Sequence, residues 1–361
     1  MIFENIYEII AFILSSAGIL QYMQSYSDAL GIPIAPKLII TLVETALLLV
    51  GVALMVMFLT WMERKVLGHA QARLGPMITW YHGLLQPVVD GVKLLSKEDL
   101  MPKRADRWMY FIAPMIAFVP VILVFVPIPF GRDGAIISDL PMGILYVMAV
   151  SAISPIGILI GGWASDNKYS LLGALRGVAQ DISYEVPMAL TVIGIVLITG
   201  SLSLQDIVLF QGEKTWFVFL QPLGFIIFLV ATVAEMGRIP FDLHESESEF
   251  VAGFFTEYSG MKFAFFFLAE YAHLFGIAAI MTTLYFGGWH GPMIPMIPPI
   301  ITSIGWFTLK VLAIIFFTMW LRATVPRVRV DQILDIGWKV MLPLALLNVF
   351  ITGLLVAGGV L

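Results

Sequence analysis

The chain has 361 residues, 60% of them hydrophobic and 12% charged, with 20 Lys and Arg against 25 Asp and Glu for a net charge of −5. Soluble domains carry about 25% charged residues, so half that share, at a mean hydropathy of +0.94, marks a polytopic membrane protein and excludes a soluble fold. There is no cysteine, which excludes disulfides, thiolate zinc sites and cysteine-ligated iron–sulfur clusters, and no G-x-G-x-x-G or Walker pattern offers a nucleotide site.

Residues 1–37 form an N-terminal extension in which Glu4 and Glu8 precede an apolar run through Leu20 with no basic segment ahead of it. That pattern argues against a cleaved signal peptide and predicts a helix against the bundle or in the interface, a ninth span being the alternative. Eight stretches are then long and apolar enough to span a bilayer, at about 38–62, 109–130, 140–164, 178–199, 216–236, 262–287, 303–323 and 339–360. Between the first two, Leu84, Leu85, Val88, Val92 and Leu95 recur at helical spacing with Asp90, Lys93 and Lys97 on the other flank, which predicts an amphipathic helix in the membrane surface. The expected fold is all-α: a polytopic transmembrane helical bundle of about eight spans over residues 38–361, plus this surface helix and the extra N-terminal helix.

Lys and Arg orient the spans. Arg64, Lys65, Arg73, Lys93, Lys97, Lys103, Arg104 and Arg107 fall in the first long loop. Lys168, Arg176, Arg238, Lys262, Arg322, Arg327, Arg329 and Lys339 fall in or beside the other loops of that side. Lys37, Arg132 and Lys214 face the opposite side. The large loops are therefore expected in the cytoplasm. The absence of a 20–50-residue repeat or of paired broken helices argues against a stand-alone ion carrier.

Several ionisable residues sit within or at the ends of the spans. Glu185 lies one helical turn after Asp181 in the fourth, Glu270 one turn before His273 in the sixth, and Glu235 closes the fifth with Arg238 beyond it as a local ion-pair candidate; Glu44 and Lys310 lie in the first and seventh. A charged side chain at bilayer centre costs at least ~2.5–3.5 kcal/mol, so four unpaired acids would cost on the order of 10 kcal/mol, comparable to a whole protein's stability. These groups must face the bundle interior, find partners or water, or hold a proton, and each of those states suits proton handling. Lys310 is also explained as a counter-charge that fixes packing, and His273 as a satisfied interior histidine. The remaining histidines are scattered, so no metal site is expected. After the fifth span Asp242, Glu245, Glu247 and Glu249 are interleaved with Phe241, Phe250, Phe254 and Phe255. This mixture predicts a loop folded back on the bundle, presenting carboxylates to a cavity or a partner.

Further stretches resemble a known family. Glu63-Arg64-Lys65-Val66-Leu67-Gly68, Gln71-Ala72-Arg73-Leu74-Gly75-Pro76 and Gly83-Leu84-Leu85-Gln86-Pro87 are similar to the first-loop signature of the H subunit of NADH-quinone oxidoreductase, the bacterial counterpart of mitochondrial complex I subunit 1. The same resemblance runs through Asn167-Lys168-Tyr169-Ser170, Ala179-Gln180-Asp181-Ile182-Ser183-Tyr184-Glu185, Ala234-Glu235-Met236-Gly237-Arg238-Ile239-Pro240-Phe241-Asp242-Leu243, Glu257-Tyr258-Ser259-Gly260 and Pro326-Arg327-Val328-Arg329. It covers roughly residues 38–361, in order.

The resemblance implies a subunit that joins the peripheral redox arm to the membrane arm, in the bacterial inner membrane. It implies that Arg64, Arg73, Asp90, Lys93 and Arg238 lie at the entrance or wall of a quinone chamber. Asp242, Glu245, Glu247 and Glu249 would form the acidic loop beside it, Glu185, Glu235 and Glu270 would begin a buried proton path, and Glu257 would lie between loop and path. The substrate implied is ubiquinone or menaquinone, with NADH, FMN and iron–sulfur clusters on partner subunits. The partners implied are peripheral quinone-site subunits and small membrane-arm subunits in a lipid bilayer, with no nucleic acid. The alternative is the related membrane subunit of a membrane-bound hydrogenase or of a dehydrogenase using another electron donor. Two departures stand out: Ser151-Ala152-Ile153-Ser154 occupies a place where some members carry a glutamate, and Asp181 stands where a neutral residue is common.

Overall fold

The computed structural model describes residues 36–132, 136–244, 249, 252–292 and 298–359, with the backbone alone for residues 36–41 and 44. The expectations for the N-terminal extension to residue 35, for the Glu44 side chain and for Glu245 and Glu247 lie outside the described residues. Among those described, the regular structure is helical throughout. Six helical stretches are long and apolar enough to cross a membrane: Thr45–Ala70, Gly143–Ala164, Lys168–Thr199, Gly260–Tyr285, Pro299–Thr324 and Val330–Ala357. The other two apolar stretches form shorter helices, Arg107–Leu123 and Pro222–Glu235. At 1.5 Å per residue these reach only about 26 and 21 Å, against a hydrocarbon core of about 30 Å.

The first helix, α1 (Pro36–Ala70), continues beyond the expected end of its span and carries Glu63, Arg64 and Lys65 in its final turns. The chain then folds back so tightly that a Cβ on Gly75 would lie 2.9 Å from the Arg64 carbonyl oxygen. Next comes the expected surface helix, α2 (Gln86–Ser96), with Pro87 in its first turn and no buried residue. Val92 and Leu95 on its apolar face are exposed, as suits a helix lying in the headgroup layer.

Helix α3 (Arg107–Leu123) starts where the Asp106 carboxylate caps the Trp108 and Met109 amides. The third span is broken into α4 (Gly143–Ser151) and α5 (Ser154–Ala164), with Pro155 opening the second half. Small residues let α5 approach α3 closely, as is usual where lipid supplies no hydrophobic drive between helices. A Cβ on Gly157 would sit 2.4 Å from the Ala117 backbone nitrogen.

Helix α6 (Lys168–Thr199) is the spine of the bundle. Asn167 caps its start and Gly200, at φ 69°, ends it in the left-handed conformation. It packs against α5, against α9 (Pro222–Glu235) and against the final helix, α13 (Leu342–Ala357). Two short helices, α7 (Leu204–Glu213) and α8 (Phe217–Leu220), precede α9. Helices α10 (Gly260–Tyr285) and α11 (Pro299–Thr324) follow, and α12 (Val330–Asp335) runs through a π-helical segment, Ile336–Met341, into α13.

Polar contacts fix these packings. Tyr184 OH donates to the Ile333 carbonyl at 3.0 Å, and Trp338 Nε1 donates to Ser183 Oγ at 2.9 Å. Gln221 Nε2 donates to Thr352 Oγ1 at 2.9 Å, tying the start of α9 to α13. Lys310 in α11 is spent on packing: its ammonium donates to the carbonyls of Phe286, Gly288 and His290 at 2.7, 2.9 and 2.6 Å. The partners of Lys310 are carbonyl dipoles, not the carboxylate that a counter-charge would face.

Candidate functional site

Three helix ends and the middle of α10 deliver a buried charge cluster. Glu63 and Arg64 are neighbours on α1 and so point about 100° apart. Arg64 reaches outward to Asp90 on α2 at 2.6 Å, while Glu63 points inward and is buried. Arg322 of α11 donates to Glu63 Oε1, and Tyr271 of α10 donates to Glu63 Oε2 at 2.8 Å. Arg238, buried just past α9, places Nη1 3.6 Å from Glu63 Oε1 and Nη2 2.8 Å from Glu270 Oε1. Its guanidinium also lies over the Tyr271 ring, 4.7 Å from the centroid. Two carboxylates and two guanidiniums thus share one site, the arrangement that makes buried charge tolerable.

Arg238 does not pair with Glu235, as chain proximity suggested. Gly237 at φ 60° turns the chain after α9, and the guanidinium is sent to α1 and α10 instead. Glu235 stays buried on the other side of that turn, with His273 Nε2 3.8 Å from its Oε1. This is too long for a direct hydrogen bond but within reach of a bridging water.

Glu235, Glu270, His273, Asp181, His244 and Ser154 line one cavity of about 50 Å³, together with apolar residues including Phe254, Phe255 and Phe266. A water needs roughly 10–15 Å³ and several polar partners, so this space has room for roughly three to five waters beside its titratable groups. Ser154 donates to the Ala117 carbonyl at 3.1 Å, leaving its oxygen lone pairs for the cavity. The third-span segment lacking a glutamate thus contributes a hydroxyl to this space.

The segment leaving α9 is pinned to α6 by adjacent residues. Gln180 Nε2 donates to the carbonyls of Ala234 and Phe241 at 2.6 and 2.7 Å, and Asp181 Oδ1 lies 3.2 Å from His244 Nε2. Burial disfavours a charged imidazole, but the Asp181 carboxylate outweighs it, helped by the Gly177 backbone and by Glu270, and pushes the His244 pKa up to about 9. Farther along, Glu249 bonds Arg176 and lies 3.6 Å from Arg327. The Arg176 hydrogen bond holds the Glu249 carboxyl below the ordinary range.

Of the remaining expected site residues, Glu185 is half-buried on α6 and Asp242 half-buried after α9. Neither has an ion pair among the described residues. Glu257 accepts from Asn167 Nδ2 at 2.7 Å and lines a different, open cavity with Lys103, Arg104 and Lys168. Arg73 and Lys93 are exposed, Arg73 donating to Gln71 at 2.7 Å. The structure therefore brings Arg238 and Glu270 into contact and Glu235 and Glu270 onto one cavity, pairs Arg64 with Asp90 outside it, and leaves Arg73 and Lys93 exposed. Sequence reasoning missed Glu63, Arg322 and His244 as members of the buried set. Glu63 carried a signal in its position near the end of an apolar helix; the other two carried none apart from their contacts.

Six apolar helices of membrane-spanning length, with buried acids and bases paired between them, define a multi-pass membrane protein. The chain belongs to the NADH dehydrogenase family, whose model matches residues 43–353. It is 50% identical over 311 residues to the H subunit of NADH-quinone oxidoreductase from Dehalococcoides mccartyi, covering 86% of this chain and 85% of that one. It is 53% identical over 295 residues to the corresponding subunit of Bacillus cytotoxicus, covering 81% and 87%. Against the H subunit numbered 2 of Geobacter metallireducens it is 45% identical over 349 residues, covering 91% and 99%.

Proposed function

We propose that this chain is the integral membrane subunit of a proton-translocating NADH-quinone oxidoreductase that forms part of the quinone chamber and begins the buried proton path. As a member of its family it is a subunit of an oxidoreductase complex in a membrane. What carries the finer reading is the continuity of buried charge: Glu63, Arg322, Arg238 and Glu270 share contacts, and Glu270 opens with Glu235 and Asp181 onto one cavity. Arg64, Arg73, Asp90 and Lys93 would form the mouth by which quinone enters from the bilayer. Peripheral subunits would complete the chamber wall over the acidic loop from Asp242 through Glu245 and Glu247 to Glu249. Quinone is the substrate of the complex. NADH, FMN and iron–sulfur clusters would belong to partner subunits, since this chain has no cysteine to ligate a cluster.

Reduction of quinone to quinol takes two electrons from the cluster-bearing partner subunits and two protons, and where those protons are drawn from side chains of the chamber, the charge beside Arg238 changes. A change there is felt by Glu270, 2.8 Å away, and through the cavity by Glu235 and Asp181. Glu185, one turn below Asp181 on α6, would pass the perturbation on, with Glu257 supporting the loop from its other end. The large loops would face the cytoplasm of a bacterium, and the two shorter apolar helices would complete eight spans with small membrane-arm subunits packed beside them. Purification in mild detergent tests the assignment. Co-purifying nucleotide- and cluster-binding subunits with NADH:quinone reductase activity are expected. Co-purification with a hydrogenase subunit, or of the chain alone, would contradict it.

A further inference from the structure

His244 is held in a slot built for an imidazole. It leaves the α9 turn and lies between two glycines from different elements. A Cβ on Gly177 of α6 would come within 2.1 Å of His244 Cδ2, and one on Gly237 within 3.0 Å of its Nδ1. Any larger residue at Gly177 would evict the ring, so the space is complementary to histidine from the α6 side and from its own loop. At the bottom of the slot the ring meets the buried Asp181 carboxylate at 3.2 Å. Neither His244 Nε2 nor Asp181 Oδ1 has an aligned hydrogen bond among the described residues, so the contact is held by charge and by the walls of the slot.

The groups around the ring come from every element that packs there. Asp181 and Glu185 come from α6, Glu235 and Arg238 from α9 and the turn after it, and Glu270 and His273 from α10. Arg238 is committed to Glu63 and Glu270. His244 is therefore the base that meets Asp181, while His273 stands beside Glu235.

We propose that His244 is a positioning residue whose imidazolium, docked on Asp181, ties the Arg238–His244 segment to α6 and sets the charge balance of the cavity shared by Glu235 and Glu270. This rests on the quinone-coupling reading given above and adds to it a residue on which activity depends through pH. Below its pKa of about 9 the imidazolium is docked and the segment carrying Arg238 is held. Above it the proton is lost to solvent and the His244–Asp181 ion pair disappears, so the segment loses this tether to α6 while the Gln180 hydrogen bonds, the Val328–Pro240 backbone contact and the Arg238 ion pairs remain.

The test uses the assembled complex in its own membranes, with His244→Gln and Asp181→Asn compared to the parent across pH. The parent turnover is expected to fall on the alkaline side with a midpoint near pH 9. Asp181→Asn should move that midpoint down by roughly one to three units, the usual effect of removing an opposing charge at close range, and His244→Gln should remove the limb. A merely structural histidine would lower the amount of complex without moving the profile. Superimposable profiles in all three would overturn the proposal. Should a variant fail to assemble, carbethoxylation of His244 in the parent complex decides the matter, measured against N-acetylhistidine. Resistance at about pH 7 with labelling at about pH 9.5 is expected for a docked imidazolium, and equal labelling at both would refute it. Proton-to-electron stoichiometry of Glu270→Gln separates the two claims. If it falls while the His244 profiles superimpose, the coupling reading stands and the tether is wrong; if it is unchanged while they differ, the reverse holds.

Discussion

Replacing Arg238 with Met perturbs the buried cluster at its centre. The guanidinium lies 2.8 Å from Glu270 and 3.6 Å from Glu63, and at an effective dielectric of about 20 those contacts amount to about 6 and 5 kcal/mol before desolvation is subtracted. The measured loss should be smaller, because ordering and desolvation offset most of it. Removing one partner of a buried pair costs roughly 3–5 kcal/mol. Arg322 still compensates Glu63, so the stranded charge is Glu270 and the lower end, about 3 kcal/mol, applies. The assay is the fraction of complex still assembled on native gels after heating. If the contact is lost in the rate-limiting step, about 3 kcal/mol speeds disassembly roughly a hundredfold. Neutralising the stranded acid in Arg238→Met with Glu270→Gln should recover most of that loss, a coupling of about 2 kcal/mol. Additivity of the two substitutions within about 0.5 kcal/mol would refute the placement of Arg238 against Glu270.

Other substitutions probe separate parts of the molecule. Gly157→Ala should reduce the amount of folded subunit, since its methyl would meet the Ala117 backbone at 2.4 Å and overpacking costs about 1–3 kcal/mol; expression in membranes measures it, and Gly305→Ala, which meets nothing within 4 Å, should be neutral. Lys310→Met strands the carbonyls of Phe286, Gly288 and His290 and should make the loop after α10 sensitive to protease, whereas the parent resists. Glu249→Gln should have a small effect that disappears in high salt, because the Arg176 pair is exposed on the carboxylate side and such pairs are worth about 0–1 kcal/mol. The contribution of Glu249 is present above the ordinary carboxylate range and lost as pH falls through its lowered value. His244 behaves in the opposite sense: its contribution is complete below about pH 6.5 and is lost as pH rises through about 9. Stability of the purified complex should therefore decline on that alkaline side, and a decline of equal size in His244→Gln would count against it.

The helices were legible in the sequence because apolar length and basic loops are local signals. All eight apolar stretches are helical in the structure. The pattern could not give helix length to the residue: α3 and α9 contain 17 and 14 residues against expected lengths of 22 and 21, since α3 stops at Leu123 and a non-helical Gln221 splits α8 from α9. Glu235 and Glu270 were legible as acids that apolar surroundings must accommodate. Their partners were not, because Arg322–Glu63 and Arg238–Glu270 join residues far apart in the chain. Arg238 illustrates the difficulty: proximity favoured Glu235, three residues away, and one glycine at positive φ sent the side chain elsewhere. The slot for His244 depends on the absence of a side chain at Gly177, which no spacing rule would flag.

Coupling of quinone reduction to proton movement rests, in this reading, on the buried charges from Arg238 through Glu270 and Glu235. The most direct test is the proton-to-electron stoichiometry of sealed vesicles containing Glu270→Gln or Glu235→Gln complex, with quinone reduction and proton uptake recorded together. Both variants are expected to assemble and to move fewer protons per electron than the parent. Parental stoichiometry in both assembled variants would contradict the coupling.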